Sequence, residues 1–390
     1  MPGRRGALLA LATSSFVYVT AETLPVGLLP QIAEGLDVRE ATVGLLLTTY
    51  ALVAGITTIP FTLLTLRVPR HRLVVVLVAV YTVSQLAASV SPTFATLTVS
   101  RLVTALAHGV FWSALAPAAA RLVPPGQAGR ATSLVFVGNS LALVLGVPLG
   151  TALGQLAGWR VAFGALAVAG ALSTVALARL LPELPAVAPA RRPSLREQVR
   201  HILDIARMPS LIAVCAVTTV LVLGNFAAYT YIAPLVRRDN GLDGFALSAL
   251  LLGYGAVGLA AVVFAGRVVD TRPGPSLRAL VALVVVALGL LIFVRADPLV
   301  VVAVLAWGAG FTAVPVCLQA AVLRVAPHAQ EAASAVYVVA FQIGIGGGAL
   351  IGERLVSEGH LDAVPVVGAA LALAAGLVVL GARTAFPARI

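Results

Sequence analysis

Glu22 lies well inside a long apolar stretch of the chain, where a carboxyl group could carry a proton. A charged carboxylate in hydrocarbon costs at least about 2.5–3.5 kcal/mol, so this side chain should face a bundle interior or a wet cavity. Ser15, Tyr18 and Glu22 are spaced three and four residues apart, which places them on one face of a helix. The spacing therefore predicts a proton-carrying site on that face. The alternative is a protonated Glu22 that only makes a hydrogen bond between helices.

Arg101 is the only cation that the sequence places inside an apolar run. At the helical rise it lies about 13 Å below one membrane surface, and Glu22 lies about 8–10 Å below the same surface. The two side chains are therefore expected to pair, directly or through water. One helical stripe contains Arg101, Thr104, His108 and Trp112. The alternatives are an Arg101 that ties helices together through backbone carbonyls and a His108 that only packs and hydrogen-bonds.

Polar and aromatic side chains inside other apolar runs are candidates for lining a substrate cavity. Asn225 and Tyr229, four residues apart, are the best of them in the second half. The candidate set is Tyr18, Tyr50, His108, Trp112, Asn139, Asn225, Tyr229, Gln319 and Gln342. The sequence contains no phosphate-binding loop, paired metal ligands or nucleophile triad, so we expect no metal and no cofactor.

The elements that position these residues must cross a membrane. The 390 residues are 60% hydrophobic and 11% charged, whereas soluble domains are about 25% charged. This composition excludes a soluble enzyme, a secreted disulfide scaffold and a disordered chain. Apolar runs long enough to cross a bilayer occur at 7–31, 42–66, 73–91, 93–120, 131–154, 160–180, 210–236, 245–266, 277–295, 298–322, 332–352 and 363–382. The prediction is an all-α membrane protein with twelve transmembrane helices.

The arginines indicate the orientation of these helices. All 26 basic residues are arginine. With both termini cytoplasmic, 19 of them lie in inner segments and 6 in outer segments, as the positive-inside rule requires. The net charge of +11 thus reflects topology rather than nucleic-acid binding. The expected partners are the lipid bilayer, protons and a small-molecule substrate, with no nucleic acid, and the expected state is a monomer.

The chain also contains an internal repeat. A cytoplasmic linker at 182–209 separates a six-helix bundle at 1–181 from a second at 210–390, and the halves resemble each other at an offset of about 202–204. Small residues four apart, which let helices approach closely, recur as Gly146, Gly150 and Gly154 and as Gly344, Gly348 and Gly352. Pro148 adds a kink that could act as a pivot. Such repeats predict two pseudo-symmetric bundles that rock around a midplane site.

Three segments resemble signatures of the major facilitator superfamily, in the arabinose-efflux-permease-like branch of its twelve-helix drug:proton antiporters. They are residues 22–30 (ETLPVGLLP), 146–150 (GVPLG) and 226–234 (FAAYTYIAP). The resemblance implies that helices 1, 4, 7 and 10 line a central cavity. Arg101 matches a fourth-helix arginine that the family implicates in proton transfer.

The resemblance also implies a cytoplasmic gating loop in each half. The first copy contains Arg67, Arg70 and Arg72, but Leu66 occupies the position where the family has an aspartate. The second copy keeps both Gly266 and Asp270.

Together these observations predict a secondary transporter of a bacterial inner membrane. It would export small organic molecules or drugs by proton antiport and alternating access, with the proton gradient as energy source, and could confer multidrug resistance. A sugar or nucleoside exporter and a proton-coupled uptake symporter are alternatives with the same fold. A membrane-embedded enzyme or receptor is disfavoured, because the longest predicted loop has only about 28 residues.

Overall fold

The protein is described from a computed structural model that covers residues 2–186, 195–241, 244–294 and 296–389. Every regular element in these ranges is helical. The chain divides into two compact units, Met1–His201 and Ile202–Ile390. The division falls within the segment 182–209, of which 187–194 lie outside the described residues.

The first unit contains eight α-helices and one π-helical turn before α9, the helix at the division between the units. Their bounds are α1 Pro2–Gly27, α2 Leu29–Gly35, α3 Glu40–Thr65, α4 Arg70–Ser89, α5 Phe94–Ala120, α6 Ala128–Leu141, the π-helical turn Ala142–Gly146, α7 Val147–Ala157, α8 Trp159–Leu180 and α9 Leu195–Ala206. The helices α6 and α7 with the turn between them form one continuous membrane-crossing segment.

The second unit repeats this order. Its helices are α10 Pro209–Tyr229, α11 Ile232–Asn240, α12 Gly244–Val268, α13 Pro273–Phe293, α14 Asp297–Val325, α15 Gln330–Ser357 and α16 Ala363–Gly381. In the first unit α1 packs on α6 and α8, α3 on α5, and α4 on α5 and α8. The equivalent pairs recur in the second unit, where α10 packs on α15 and α16, α12 on α14, and α13 on α14 and α16. The two bundles therefore share one packing scheme, as the internal repeat predicts.

Eleven helices in the described part of the chain are long and apolar enough to cross a membrane. The remaining predicted run, 42–66, corresponds to the 26-residue helix α3, which is long enough to cross a membrane and contains the apolar stretch Thr49–Thr65. Large apolar side chains point outward from these helices, as Leu156 (88% exposed) and Phe293 (84% exposed) show. In a bilayer such side chains contact acyl chains, so their exposure carries no penalty.

Two of the predicted runs are broken rather than continuous. The run 7–31 is interrupted at Leu28 between α1 and α2, and the run 210–236 at Tyr231 between α10 and α11. Both residues have φ of −115° with ψ near zero, and each precedes a proline, Pro30 or Pro234. Proline has no N–H to donate to the carbonyl four residues before it, and its ring clashes with that carbonyl. The prolines thus end each long helix and start a short one.

The predicted kink near Pro148 takes the form of a π-helical turn. The Val147 N–H donates to the Ala142 carbonyl five residues earlier, which widens the helix by one residue just before the proline. The widened turn accommodates the proline ring without ending the span.

Candidate functional site

The carboxylate of Glu22 faces His108 across the interface between α1 and α5. Its Oε2 lies 3.8 Å from His108 Nδ1; the Glu22 side chain is 25% exposed and that of His108 only 4%. Tyr50 on α3 brings its hydroxyl within 2.9 Å of the same Nδ1. Three helices therefore bring a carboxylate, an imidazole and a phenol together, an arrangement through which a proton can be held and exchanged.

Arg101 reaches α1 through the backbone rather than through the Glu22 carboxylate. Its Nη1 donates to the Ala21 carbonyl at 2.8 Å, and its Nη2 donates to the Glu22 carbonyl at 3.2 Å. Pro25 has no N–H, so it cannot supply the helical hydrogen bond that the Ala21 carbonyl would otherwise accept. The guanidinium replaces that donor. The observed contact is thus the alternative in which Arg101 ties helices together, although its charge still acts on the nearby carboxylate.

The guanidinium of Arg101 is nearly completely buried and lies beside an aromatic ring. Its Cζ is 4.8 Å from the centroid of the Tyr50 ring, a cation–π distance. Its Nε is buried without a hydrogen-bond partner in the described structure. Tyr50 therefore contacts both basic groups of the site, His108 through its hydroxyl and Arg101 through its ring.

Aromatic rings enclose this cluster. Tyr18, one turn before Glu22 on α1, stacks on Phe111 with a centroid distance of 4.2 Å and lies 4.9 Å from Tyr81. The ring of Trp112 lies 6.2 Å from that of His108. The sequence predicted Tyr18 and Trp112 as site residues but missed Tyr81, whose hydroxyl donates to the Val17 carbonyl of α1.

A polar network continues from the site between α4 and α5. The Ser84 hydroxyl donates to the Ser100 carbonyl and lies 2.7 Å from the Thr104 hydroxyl, to which the Gln85 amide also donates. All four side chains are buried. The network satisfies polar groups one turn from Arg101 and so helps to fix the rotation of α5.

In the second unit, neutral groups occupy the equivalent positions. Asn225 lies 203 residues after Glu22, and its Oδ1 accepts a hydrogen bond from Trp307 Nε1 at 2.9 Å. Tyr229 lies 5.0 Å from Tyr254, the equivalent of Tyr50, and both rings contact Trp307. The predicted pair Asn225 and Tyr229 thus belongs to an aromatic cluster. The sequence missed Trp307, although the repeat offset relates it to Thr104.

No described contact links the remaining predicted cavity residues to these two clusters. The buried amide of Gln319 on α14 donates to the Ser334 hydroxyl of α15, a contact between two helices of one bundle. Asn139 lies on α6 and Gln342 on α15, both partly buried. The structure does not bring these three residues together with Glu22 or with Asn225 in one described cluster.

The predicted glycines allow close helix contact in both units. A Cβ on Gly146 would overlap the Thr20 hydroxyl of α1, and one on Gly150 or Gly154 would crowd Leu24 or Leu28. In the second unit Gly344, Gly348 and Gly352 of α15 face the backbone and side chains of α10 in the same way. The glycines thus form two packing seams, one in each unit. Pro148 lies in the seam of the first unit, directly after the π-helical turn.

The predicted gating loops differ between the two units. Arg70 is fully buried and donates to the Thr65, Leu66 and Val68 carbonyls at the end of α3. Arg67 lies in the turn before it, and Arg72 is exposed. In the second unit Gly266 lies near the end of α12, and Asp270 follows that helix and interacts electrostatically with Arg324. Arg70 thus caps the C-terminal end of α3, whereas the loop of the second unit contains the acidic Asp270, which interacts with Arg324.

No group of three or more His, Cys, Asp or Glu side chains that could hold a metal ion occurs among the residues with described positions.

Comparison with known proteins relates the chain to membrane transporters. The family model described as Major Facilitator Superfamily matches residues 11–349. A chloramphenicol efflux pump of Mycobacterium tuberculosis, represented by two strains, is 42% identical over 361 residues, which cover 89% of this chain and 85% of the pump.

Solved structures show the same fold at low sequence identity. The human organic anion transporter TETRAN superposes with a TM-score of 0.81 at 14% identity, covering 96% of this chain and 98% of that one. The transporter FucP in its outward conformation gives a TM-score of 0.76 at 14% identity, with the same two coverages.

Proposed function

The chain belongs to the major facilitator superfamily, and from this membership we propose that it exports small organic molecules in exchange for protons. It is a multi-pass membrane transporter and not an enzyme. The observation that carries the proposed direction of transport is the 42% identity with a chloramphenicol efflux pump over most of both chains. Chloramphenicol is accordingly the first compound to test as a substrate.

Glu22 is the proposed carrier of the coupling proton. The support is its position inside a membrane-crossing helix, 3.8 Å from His108 Nδ1 and next to the buried guanidinium that binds its own carbonyl. An ionised Glu22 attracts the Arg101 guanidinium, and it attracts His108 when that imidazole is protonated, whereas protonation of Glu22 cancels this attraction. Proton uptake therefore changes the forces between α1 and α5, and a change of this kind can favour one transporter conformation over another.

The aromatic cluster of the second unit is the proposed contact for substrate. Asn225 supplies an amide, and Tyr229 and Tyr254 supply apolar ring surface with hydroxyl groups. A few polar groups among aromatic side chains are typical of small-molecule sites. The proposal thus assigns proton exchange to the first unit and substrate contact chiefly to the second.

The proposed setting is a bacterial inner membrane with both termini in the cytoplasm, and the proposed working form is a monomer. The arginine distribution supports this orientation, because 19 of the 26 arginines then lie in inner segments. The proposed energy source is the proton gradient, without a cofactor.

Transport of chloramphenicol by the purified protein in proteoliposomes, with and without a pH gradient, tests the proposal. We expect the wild type to move the compound against its gradient, and Glu22→Gln to lose gradient-driven transport while still binding it, because glutamine mimics the protonated acid. Glu34→Gln, which changes an exposed carboxylate on α2, is the matched control and should transport normally.

The outcomes separate the parts of the proposal. Unchanged gradient-driven transport by Glu22→Gln would contradict the role of Glu22. Movement of chloramphenicol in the same direction as the protons, rather than in the opposite direction, would indicate a symporter. A wild type that moves other organic compounds but not chloramphenicol would refute only the substrate assignment.

A further inference from the structure

A cationic cleft of about 470 Å³ opens in the first unit where α1 begins and where α5 and α8 end. Two arginines, Arg4 and Arg121, and one acidic residue, Glu183, line it, so its lining carries a net positive charge. The mechanism proposed above uses none of these residues.

The internal repeat explains why Arg121 lacks the acidic partner that its second-unit equivalent has. Arg324 at the end of α14 is the second-unit equivalent of Arg121, and it interacts electrostatically with Asp270. In the first unit Leu66 occupies the position equivalent to Asp270. The described contact of Arg121 is with the Pro185 carbonyl, at 2.9 Å, which leaves its charge without an acidic partner of that kind.

Segment 181–185 forms a fixed wall of the cleft. The backbone N–H of Arg70 donates to the Leu184 carbonyl, and the Leu184 N–H donates to His71 Nδ1. Together with the contact between Arg121 and Pro185, these hydrogen bonds hold the segment against the bundle. The cleft is thus built from tethered backbone rather than from a free loop.

The other walls are apolar and lie at the ends of membrane-crossing helices. Leu122 follows α5 and Leu180 is the last residue of α8, while Leu184 belongs to the segment 181–185; Leu122 and Leu184 are buried. Leu180 is 44% exposed. A free anion would gain nothing from Leu180, whereas the glycerol and first methylenes of a lipid would pack on it. Basic pockets between helix ends are suited to acidic headgroups.

We propose that this cleft binds the phosphate headgroup of an anionic phospholipid, with Arg4 and Arg121 contacting the phosphate and Leu180 contacting the glycerol and upper chains. Arg4 and the cleft lie at the start of α1, and the N-terminal end of a helix favours negative charge.

Binding of phosphatidylglycerol to the purified full-length protein, measured by native mass spectrometry from mixed micelles, tests the proposal. We expect phosphatidylglycerol to be retained in preference to phosphatidylcholine. Arg4→Gln and Arg121→Gln should each weaken retention about fivefold, as a contribution of about 1 kcal/mol per basic residue implies. Glu183→Gln should strengthen retention, because it removes the negative charge from the cleft.

Arg179→Gln is the matched control, because Arg179 is exposed one residue before Leu180 but does not line the cleft. It should leave retention unchanged. An effect as large as that of Arg4→Gln would indicate general surface attraction and overturn the proposal. Equal retention of phosphatidylcholine, or displacement of the lipid by millimolar inorganic phosphate, would also overturn it. Because Arg121→Gln removes a structural contact as well, Arg4→Gln provides the decisive comparison.

Discussion

A methyl group added at Gly348 tests whether the close contact between α15 and α10 stabilises the second unit. The new Cβ would overlap the carbonyl oxygen of Leu223 and lie 3.0 Å from the backbone nitrogen of Ala227. Both are backbone atoms of α10, so no side-chain rotation can relieve the overlap. Gly348→Ala must therefore separate the helices. Gly346, two residues earlier on α15, has no neighbouring atom within 4 Å of its Cβ position.

The expected magnitude follows from two opposing effects. Alanine is favoured over glycine inside a helix by about 1 kcal/mol. An additional carbon forced into a packed contact costs about 1–3 kcal/mol, and an overlap with backbone belongs at the upper end. Gly348→Ala should therefore lower the free energy of unfolding by about 1–2 kcal/mol. Gly346→Ala should raise it by up to about 1 kcal/mol.

Reversible unfolding of both variants in mixed micelles, followed by circular dichroism, measures this difference. The two variants should differ by about 2–3 kcal/mol in the free energy of unfolding. Equal stabilities, or a Gly348→Ala protein as stable as the wild type, would refute the close backbone contact between α10 and α15.

Three further predictions concern side-chain contacts. Tyr50→Phe keeps the ring beside Arg101 but removes the hydroxyl next to His108, so it should cost about 1 kcal/mol of stability and slow transport; an unchanged melting temperature and rate would contradict this contact. Arg101→Lys should lower stability by about 1.5–3 kcal/mol, because an ammonium cannot match the fork that contacts two carbonyls, and a wild-type unfolding midpoint would argue against that geometry. The exposed ion pair between Arg238 and Asp362 should show a coupling below about 1 kcal/mol in a double-mutant cycle with Arg238→Gln and Asp362→Asn, and it should weaken in high salt. A larger, salt-independent coupling would mean that the pair is shielded from water.

Composition and spacing allowed much of the fold to be predicted, because membrane-crossing helices satisfy their own backbone hydrogen bonds and need only sufficient apolar length. The same physics identifies Glu22 and Arg101 as site candidates, because a charged side chain inside the hydrocarbon core is energetically costly and is usually retained for function. The helix breaks could also have been predicted from Pro30 and Pro234, which lie near the ends of their runs at the same place in the repeat.

The contacts within the site depend on helix rotation and register, which periodicity does not determine. Spacing places His108 and Arg101 on one face of α5, but only the packed structure shows that the imidazole meets the Glu22 carboxylate while the guanidinium meets backbone. That second contact depends on Pro25, which leaves the Ala21 carbonyl without its helical donor. Trp307 lies in an apolar run, where a tryptophan is not distinctive. Only the repeat offset, which relates it to Thr104, indicates that it could belong to a site.

The seam between α1 and the segment α6–α7 fixes the position of Glu22 relative to those helices. Its contacts pair Gly138 with Ala12, Gly146 with Thr20, Gly150 with Leu24 and Gly154 with Leu28. The three pairs within α1 extend from Ala12 to Leu24, about 18 Å of helix at the helical rise. Sliding α1 by a single residue would bring side chains against positions where only glycine fits, so the helix cannot shift along its axis like a piston. The Glu22 carboxylate is therefore held at one position along the first bundle, set by the glycines of α6–α7.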